Sequence, residues 1–177
     1  MSENVFLKNE IKKMIIDLQL PQIVLQLFNG NVIDKIANSH FLSDKYKEPY
    51  TLFEIPLEQL YVAYKVDRYV PFLACHQSKI FAYDKLTKGF IAYSIECFRE
   101  DNLQRLTWDG LFVDEIIAWW EDEWSDEDIM HIGGLLKLKH TKQLIEDIAL
   151  RDSTNESYLT WFDWNTALKK KINAFIE

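Results

Sequence analysis

The chain has 177 residues, of which 48 % are hydrophobic and 14 % aromatic, and its formal net charge at pH 7 is −8. A chain of this size can bury roughly 70 % of its unfolded surface in one core, so we expect a single domain over residues 1–177. The charged N-terminal residues and the lack of any run of eighteen apolar residues argue against a signal peptide and against a membrane-spanning helix. Two cysteines in apolar segments fit a reduced, cytoplasmic protein.

The first predicted elements are helices. Apolar residues recur at helical spacing from Asn4 to Leu20, which predicts an amphipathic helix. The stretch LPQIVLQLFNG (20–30) predicts a short second helix, because proline is tolerated in a first turn and Asn29-Gly30 is typical of a helix end. Residues 31–49 have weak periodicity, and we expect a loop there with at most a helical turn.

Short runs rich in β-branched and aromatic residues follow Pro49 and predict strands. The predicted strands lie near Phe53 and Ile55 and over residues 61–66, 69–75 and 79–84. The segment KIFAYD-KLTKG-FIAYSIECF (79–98) predicts an antiparallel hairpin whose five-residue connection is closed by Gly89.

Helical patterns return after Thr107. Asp109 is a candidate N-cap, and five apolar residues then fall within about 100° of arc on a helical wheel, which places Trp120 and Trp124 in the core. These five residues are Val113, Ile116, Ile117, Trp120 and Trp124. Residues 125–128 resemble a capping box that opens another helix, which Gly133-Gly134 should end. Two more helices are predicted, over 142–151 and after the polar break 152–157.

Helices, then strands, then helices is the order of an α+β fold. We expect a central, mostly antiparallel sheet with helices packed on one face and at the ends.

No residue pattern is typical of a catalytic or metal site. His131 and His140 are nine residues apart across a Gly-Gly pair, and Cys75 adjoins His76 without a CxxC or HxxxH motif. There is no GxSxG motif and no glycine-rich phosphate loop. We therefore expect no metal, no cofactor and no enzymatic activity.

The acidic residues are concentrated in one window. Between Arg105 and Lys137 there are nine acidic residues and no Lys or Arg, so this window carries −9 and the rest of the chain +1. Phosphate backbones are bound by Lys and Arg, so direct nucleic-acid binding is disfavoured and a basic protein partner is the natural complement. The alternative is a solvated face that only keeps the protein soluble.

Trp119 lies at the border between the apolar stripe and the acidic arc of the predicted helix. An aromatic residue flanked by acids has the composition of an interface anchor, although Trp119 could equally pack under the loop after Gly133 or against the last helix. The predicted partner-binding residues are Asp114, Glu115, Trp119, Glu121, Asp122, Asp126 and Glu127.

The order of these features resembles the SUKH superfamily. The resemblance covers about residues 5–150, leaving 152–177 as a C-terminal extension. It rests on Leu20-Pro21 with Asn29-Gly30, EIPLEQL (54–60), the Pro-Phe strand (69–72), SKIFAYDK (78–85), the strand from Gly89 to Tyr93, and the acidic helix with tryptophan. The segment CHQSKIFAYD lacks the glycine common in the family's central turn, which leaves the subfamily open.

The resemblance implies an α+β fold and a non-catalytic role. Bacterial members are typically immunity proteins that block a cognate toxin, often a nuclease, in the cytoplasm, and the family has no shared catalytic residues. We therefore expect an immunity protein that binds a basic toxin domain. The alternatives are a regulatory or adaptor module of the same fold and a hydrolase with an acidic cleft, and exposed aromatic residues would also serve a homodimer.

Overall fold

A computed structural model of the chain describes residues 3–49, 67–76, 78–151 and 157–176. The chain divides into two compact units, an N-terminal unit over Met1–Gln104 and a C-terminal unit over Arg105–Glu177. The predicted strands near Phe53 and Ile55 and over 61–66 lie outside the described residues. The single domain over 1–177 stays a prediction.

The N-terminal unit contains three described helices followed by three strands. The helices are α1 (Glu3–Asp17), α2 (Gln22–Phe28) and α3 (Lys35–Ser43), and the strands are β1 (Tyr69–Cys75), β2 (Lys79–Asp84) and β3 (Gly89–Ser94). Two short 3₁₀ turns follow, Ile95–Cys97 and Glu100–Asn102. Helices α1 and α2 pack against β1.

The predicted hairpin is confirmed. The described strands form an antiparallel sheet in the order β1-β2-β3, and Asp84 pairs with Gly89 at the turn between β2 and β3. Lys88, with a φ of 56°, is the residue of that turn in the left-handed conformation. The register between β1 and β2 shifts between Pro71 and Leu73.

One face of this sheet carries an aromatic and aliphatic core. Side chains from all three strands form it, and Ile95, Phe98 and Leu103 pack against them. Its buried members are Tyr69, Ala74, Ile80, Ala82, Ile91 and Tyr93. The Phe98 ring makes edge contacts with Tyr69 and Tyr93, at centroid distances of 6.1 Å and 4.9 Å.

Helix α3 corrects the prediction of a loop over residues 31–49. The Asp34 side chain caps the helix by accepting a hydrogen bond from the Ala37 amide at 2.9 Å. Only Ala37 and Phe41 of this helix are buried, whereas Leu42 is 67 % exposed. With so few buried positions, the helical periodicity in the sequence is weak.

The described part of the C-terminal unit consists of helices and the segments that connect them. These are α4 (Trp108–Leu111), α5 (Val113–Glu121), α6 (Asp126–Leu135), α7 (Thr141–Ala149) and α8 (Tyr158–Lys171). An isolated antiparallel bridge joins Leu106 to Phe175, so the segment after α8 returns to the start of the unit. Helix α8, which we predicted as an extension, therefore belongs to the same compact unit as α4–α7.

Gly133 and Gly134 do not end α6, which is a second correction. The helix continues to Leu135, and Lys137 takes the left-handed conformation after it, with a φ of 55°. A Cβ atom on Gly133 would overlap the Thr141 side chain, so this glycine allows α6 to approach the start of α7.

The fold class is the predicted one. The chain is α+β, with an antiparallel sheet and accompanying helices. In the part of the chain that the structure describes, no helix combines the length and the apolar character needed to cross a membrane.

Candidate interaction surface

The end of α5 determines which residues of the acidic window face solvent. The Trp124 amide donates to the Trp119 carbonyl at 3.0 Å, the Glu123 amide donates to the Trp120 carbonyl at 3.2 Å, and Glu123 has a φ of 61°. This pair of bonds around a left-handed residue is a Schellman motif, which ends the helix and reverses the chain. The ring of Trp124 stacks on that of Trp119, with centroids 5.1 Å apart and planes 4° from parallel.

The exposure of the two tryptophans of α5 corrects the predicted interface anchor. Trp119 is fully buried, so of the two predicted alternatives the packed one holds, whereas Trp120, which was predicted in the core, is 37 % exposed. The predicted wheel assumed one continuous helix to Trp124, but α5 ends at Glu121. Trp124 instead folds back onto Trp119, which places Trp119 in the core and turns Trp120 outward.

Two of the predicted partner-binding acids are not free on the surface: one is buried, and the other binds side chains of α8. Glu115 is 1 % exposed, so its predicted place on a surface arc is wrong. Asp114 accepts hydrogen bonds from Asn165 Nδ2 at 2.8 Å and from Lys169 Nζ at 2.9 Å. Asn165 and Lys169 are themselves buried, so Asp114 holds α8 against α5.

Glu121 forms an ion pair near the surface. Its Oε1 accepts from Arg151 Nη1 at 2.9 Å, and the Arg151 guanidinium lies 4.4 Å from the centroid of the Trp164 ring. Glu121 remains 48 % exposed in its side chain. It can contribute to the surface field, but part of its charge is neutralised by Arg151.

Asp109 is not the N-cap of its helix. Thr107 caps α4, with its hydroxyl oxygen accepting from the Gly110 amide at 3.1 Å. Asp109 Oδ2 instead accepts from the Lys139 amide at 2.7 Å, from the His140 amide at 3.1 Å, and lies 2.8 Å from His140 Nδ1. This carboxylate therefore organises the turn that leads into α7.

Four of the five remaining acids of the window are exposed around the turn from α5 to α6, and the fifth, Asp128, is partly exposed. Asp122, Glu123, Asp126 and Glu127 are all exposed, and none of them pairs with a Lys or Arg among the described residues. Ser125 caps α6 as predicted, with its Oγ accepting from the Asp128 amide at 3.1 Å. We call these four acids, together with the half-exposed Trp120, the acidic corner.

The charge of the chain is divided unequally between the units. The C-terminal unit has eight basic and fifteen acidic residues, a net charge of −7, and the N-terminal unit has twelve and thirteen, a net charge of −1. The acidic corner adds a solvent-exposed indole to the more acidic unit. Aromatic anchors surrounded by charges are typical of steered protein interfaces.

Elsewhere, the described ionic groups include a buried structural network in the N-terminal unit. Arg68 donates to both Asp84 carboxylate oxygens at 3.0 Å and to Glu100 Oε1 at 2.7 Å, and Tyr69 Oη donates to the same Glu100 oxygen at 2.9 Å. Asp84 is fully buried and also accepts from the Leu86 amide and the Thr87 hydroxyl. The network connects the start of β1, the β2–β3 turn and the second 3₁₀ turn.

The pKa values in this network follow from burial and hydrogen bonding. Burial alone would raise the pKa of Asp84, but the hydrogen bonds from Arg68, Thr87 and the Leu86 amide, with the Arg68 charge, lower it to about 2. Burial and the hydrogen bond to Glu100 raise the pKa of Tyr69 to about 12. The hydrogen bond with Asp84 raises the pKa of Arg68 despite partial desolvation. Asp84 and Arg68 therefore stabilise the fold in their charged forms, and Tyr69 does so in its neutral form.

The acids of the window do not line the cavities of the N-terminal unit. A cavity of about 400 Å³ lies between α1 and the sheet, and a second one of about 330 Å³ lies beside the end of α2. Residues of the N-terminal unit line both cavities.

Comparison of the chain with models of known protein families, with curated proteins and with solved structures found no match. The resemblance to the SUKH superfamily thus stays a prediction from the sequence motifs.

Proposed function

We propose that the chain is a non-enzymatic binding protein that neutralises a basic partner, as an SUKH-like immunity protein does with a cognate toxin domain in the cytoplasm. The observation that carries this proposal is the acidic corner, where four exposed carboxylates without a described basic partner follow a 37 % exposed tryptophan within seven residues of the chain. A solvated acidic face that only confers solubility does not need an exposed indole next to it.

The acidic corner would act in two steps. The field of the C-terminal unit, with its net charge of −7, accelerates encounter with a positively charged domain. The Trp120 indole then loses its water on docking and slows dissociation. A nuclease toxin has a basic substrate groove, so a surface of this kind can cover that groove without any chemistry.

The proposed binding residues differ from those predicted from the sequence. Asp122, Asp126 and Glu127 remain, Trp120 replaces Trp119, and Glu123 is added. Asp114 is removed because its carboxylate binds Asn165 and Lys169 of α8, and Glu115 is removed because it is buried. Glu121 remains at the edge of the surface through its pair with Arg151.

The test is affinity capture from the native host at low salt and at about 0.5 M salt, where the screening length falls to a few ångströms. We expect a single basic protein that is retained at low salt and released at high salt. A stable host complex that is insensitive to salt would instead support the adaptor function and contradict the role of the acidic corner.

Matched pairs of variants test the carboxylates and the indole of the acidic corner separately. Asp122→Lys with Glu127→Lys should abolish capture, whereas Glu10→Lys with Asp17→Lys makes the same charge change on exposed positions of α1 and should preserve it. For the indole, Trp120→Ala should weaken capture, and Phe162→Ala, which removes another exposed aromatic ring of the same unit, should not.

A further inference from the structure

A basic pocket lies in the N-terminal unit, in contrast to the acidic charge of the whole chain. Three lysines and one glutamate line a cavity of about 330 Å³ beside the end of α2. Its remaining lining residues are Leu27, Phe28, Asn29 and Gly30. A cavity of this volume is within the range of small-molecule sites.

Two independent elements bring the lysines together. Lys8 and Lys12 are one turn apart on α1, so their side chains lie on the same face, where like charges repel. Lys47 is held in place because its backbone exchanges two hydrogen bonds with Ala74 of β1, both at 2.9 Å. The fold therefore places three lysines around one cavity, at an electrostatic cost.

The described carboxylates compensate only part of this charge. Lys8 Nζ lies 3.5 Å from Glu48 Oε1, a long and partly exposed ion pair that stabilises little. Among the described residues, neither Lys12 nor Lys47 has a carboxylate within ion-pairing distance. Among the lining residues that the structure describes, the three lysines and one glutamate leave two positive charges in excess.

The pocket also has an apolar floor. Leu27 and Phe28 are 2 % and 4 % exposed, and they support the cavity beneath the lysines. An anionic group would be paired by the lysines, and an attached apolar group would rest on Leu27 and Phe28.

We propose that this pocket binds a small organic phosphate, namely a phosphate monoester attached to a compact apolar or aromatic group. The phosphate dianion matches the excess of two positive charges, and lysine is a common phosphate ligand. This site is separate from the acidic corner and does not depend on the function proposed for that surface.

The experiment is a titration of the full-length protein with phenyl phosphate, followed by ¹H–¹⁵N correlation spectra. The Gly30 amide is a convenient reporter because the chain has only five glycines and Gly30 lines the pocket. We expect saturable shifts of Gly30 and Asn29 with a dissociation constant at or below about 1 mM, and weaker binding of inorganic phosphate, which has no apolar group for the floor.

The matched variants separate binding in the pocket from general attraction to lysines. Lys12→Gln with Lys47→Gln should weaken binding about tenfold, and Lys13→Gln with Lys45→Gln, the same charge change at exposed neighbouring positions outside the pocket, should leave it unchanged. Absence of saturable Gly30 shifts in the wild-type protein up to about 10 mM phenyl phosphate would overturn the proposal. Equal weakening by both double variants would overturn it as well.

Discussion

Replacement of Asp84 by asparagine tests the buried network of the N-terminal unit. The carboxyl group has a pKa of about 2 in the folded protein and an ordinary value of 3.8, a difference that corresponds to about 2.4 kcal/mol. Asparagine is nearly isosteric but presents an amide group to the Arg68 guanidinium, which donates to both Asp84 oxygens in the wild type. We expect Asp84→Asn to lower the free energy of unfolding at pH 7 by about 2–3 kcal/mol.

The sign of the pH dependence follows from the lowered pKa. A carboxyl group whose pKa is lower in the folded state stabilises the protein above its unfolded pKa, and this stabilisation is lost as the pH falls through the folded pKa of about 2. The loss in the free energy of unfolding caused by Asp84→Asn should therefore have its full value above pH 5 and about half of that value near pH 3.

The assay is urea unfolding followed by far-UV circular dichroism at pH 7 and at pH 3. Tryptophan fluorescence serves as a separate probe, because all six tryptophans lie in the C-terminal unit. Asp67→Asn is the matched control, since Asp67 is exposed beside Arg68, and it should change stability by less than about 0.5 kcal/mol. Equal stabilities of the two variants at pH 7, or a difference that does not shrink at pH 3, would refute the reasoning.

Three further substitutions test the C-terminal unit by chemical denaturation. Glu123→Gly should raise the free energy of unfolding by about 1 kcal/mol, because glycine adopts the left-handed conformation without strain, whereas Glu123→Ala should give no such gain. Trp119→Ala should lower it by about 3–5 kcal/mol through the cavity it leaves, and a loss below about 1 kcal/mol would mean that the ring is not in the core. Asp114→Ala should lower the free energy of unfolding by about 2 kcal/mol because the buried Lys169 loses its carboxylate. Adding Lys169→Met should recover part of this loss. A further loss of stability in the double variant would contradict this account of the pair.

Local patterns in the sequence were sufficient where the structure is determined locally. The β2–β3 hairpin follows from its two apolar and aromatic arms; β3 alternates buried and partly exposed residues, so a register shift of one residue would expose its buried face. The short helix α2 follows from Pro21 and Gly30, which is in the left-handed conformation with a φ of 66°. Ser125 was recognisable as an N-cap because its role depends only on the next three residues.

The candidate surface was less predictable because helix ends are set by tertiary contacts. Several helices end at left-handed residues other than glycine, among them Gln19, Lys45, Glu123 and Lys137. None of these residues is typical of a helix end, so the sequence gives no indication of where the α5 helical wheel must stop. The ring of Trp124 stacks on that of Trp119, which lies in the core, and Trp120, which was predicted there, is exposed instead.

The roles of the individual acids were hidden for a similar reason. A run of carboxylates looks uniform in the sequence, but Asp109 and Asp114 are used by His140 and Lys169, partners far away along the chain. Only the structure separates these acids from the exposed ones. The negative charge of the window and its attraction for a basic partner remain predictions from composition.

The most direct test of the proposed function is the association rate constant of the captured basic partner with purified protein, measured by stopped flow over a series of salt concentrations. We predict fast association that slows steeply with salt, a reduction of at least about tenfold in Asp122→Lys with Glu127→Lys, and faster dissociation in Trp120→Ala. An association rate independent of salt and identical in wild type and the charge-reversed variant would contradict the assignment of the acidic corner as the binding surface.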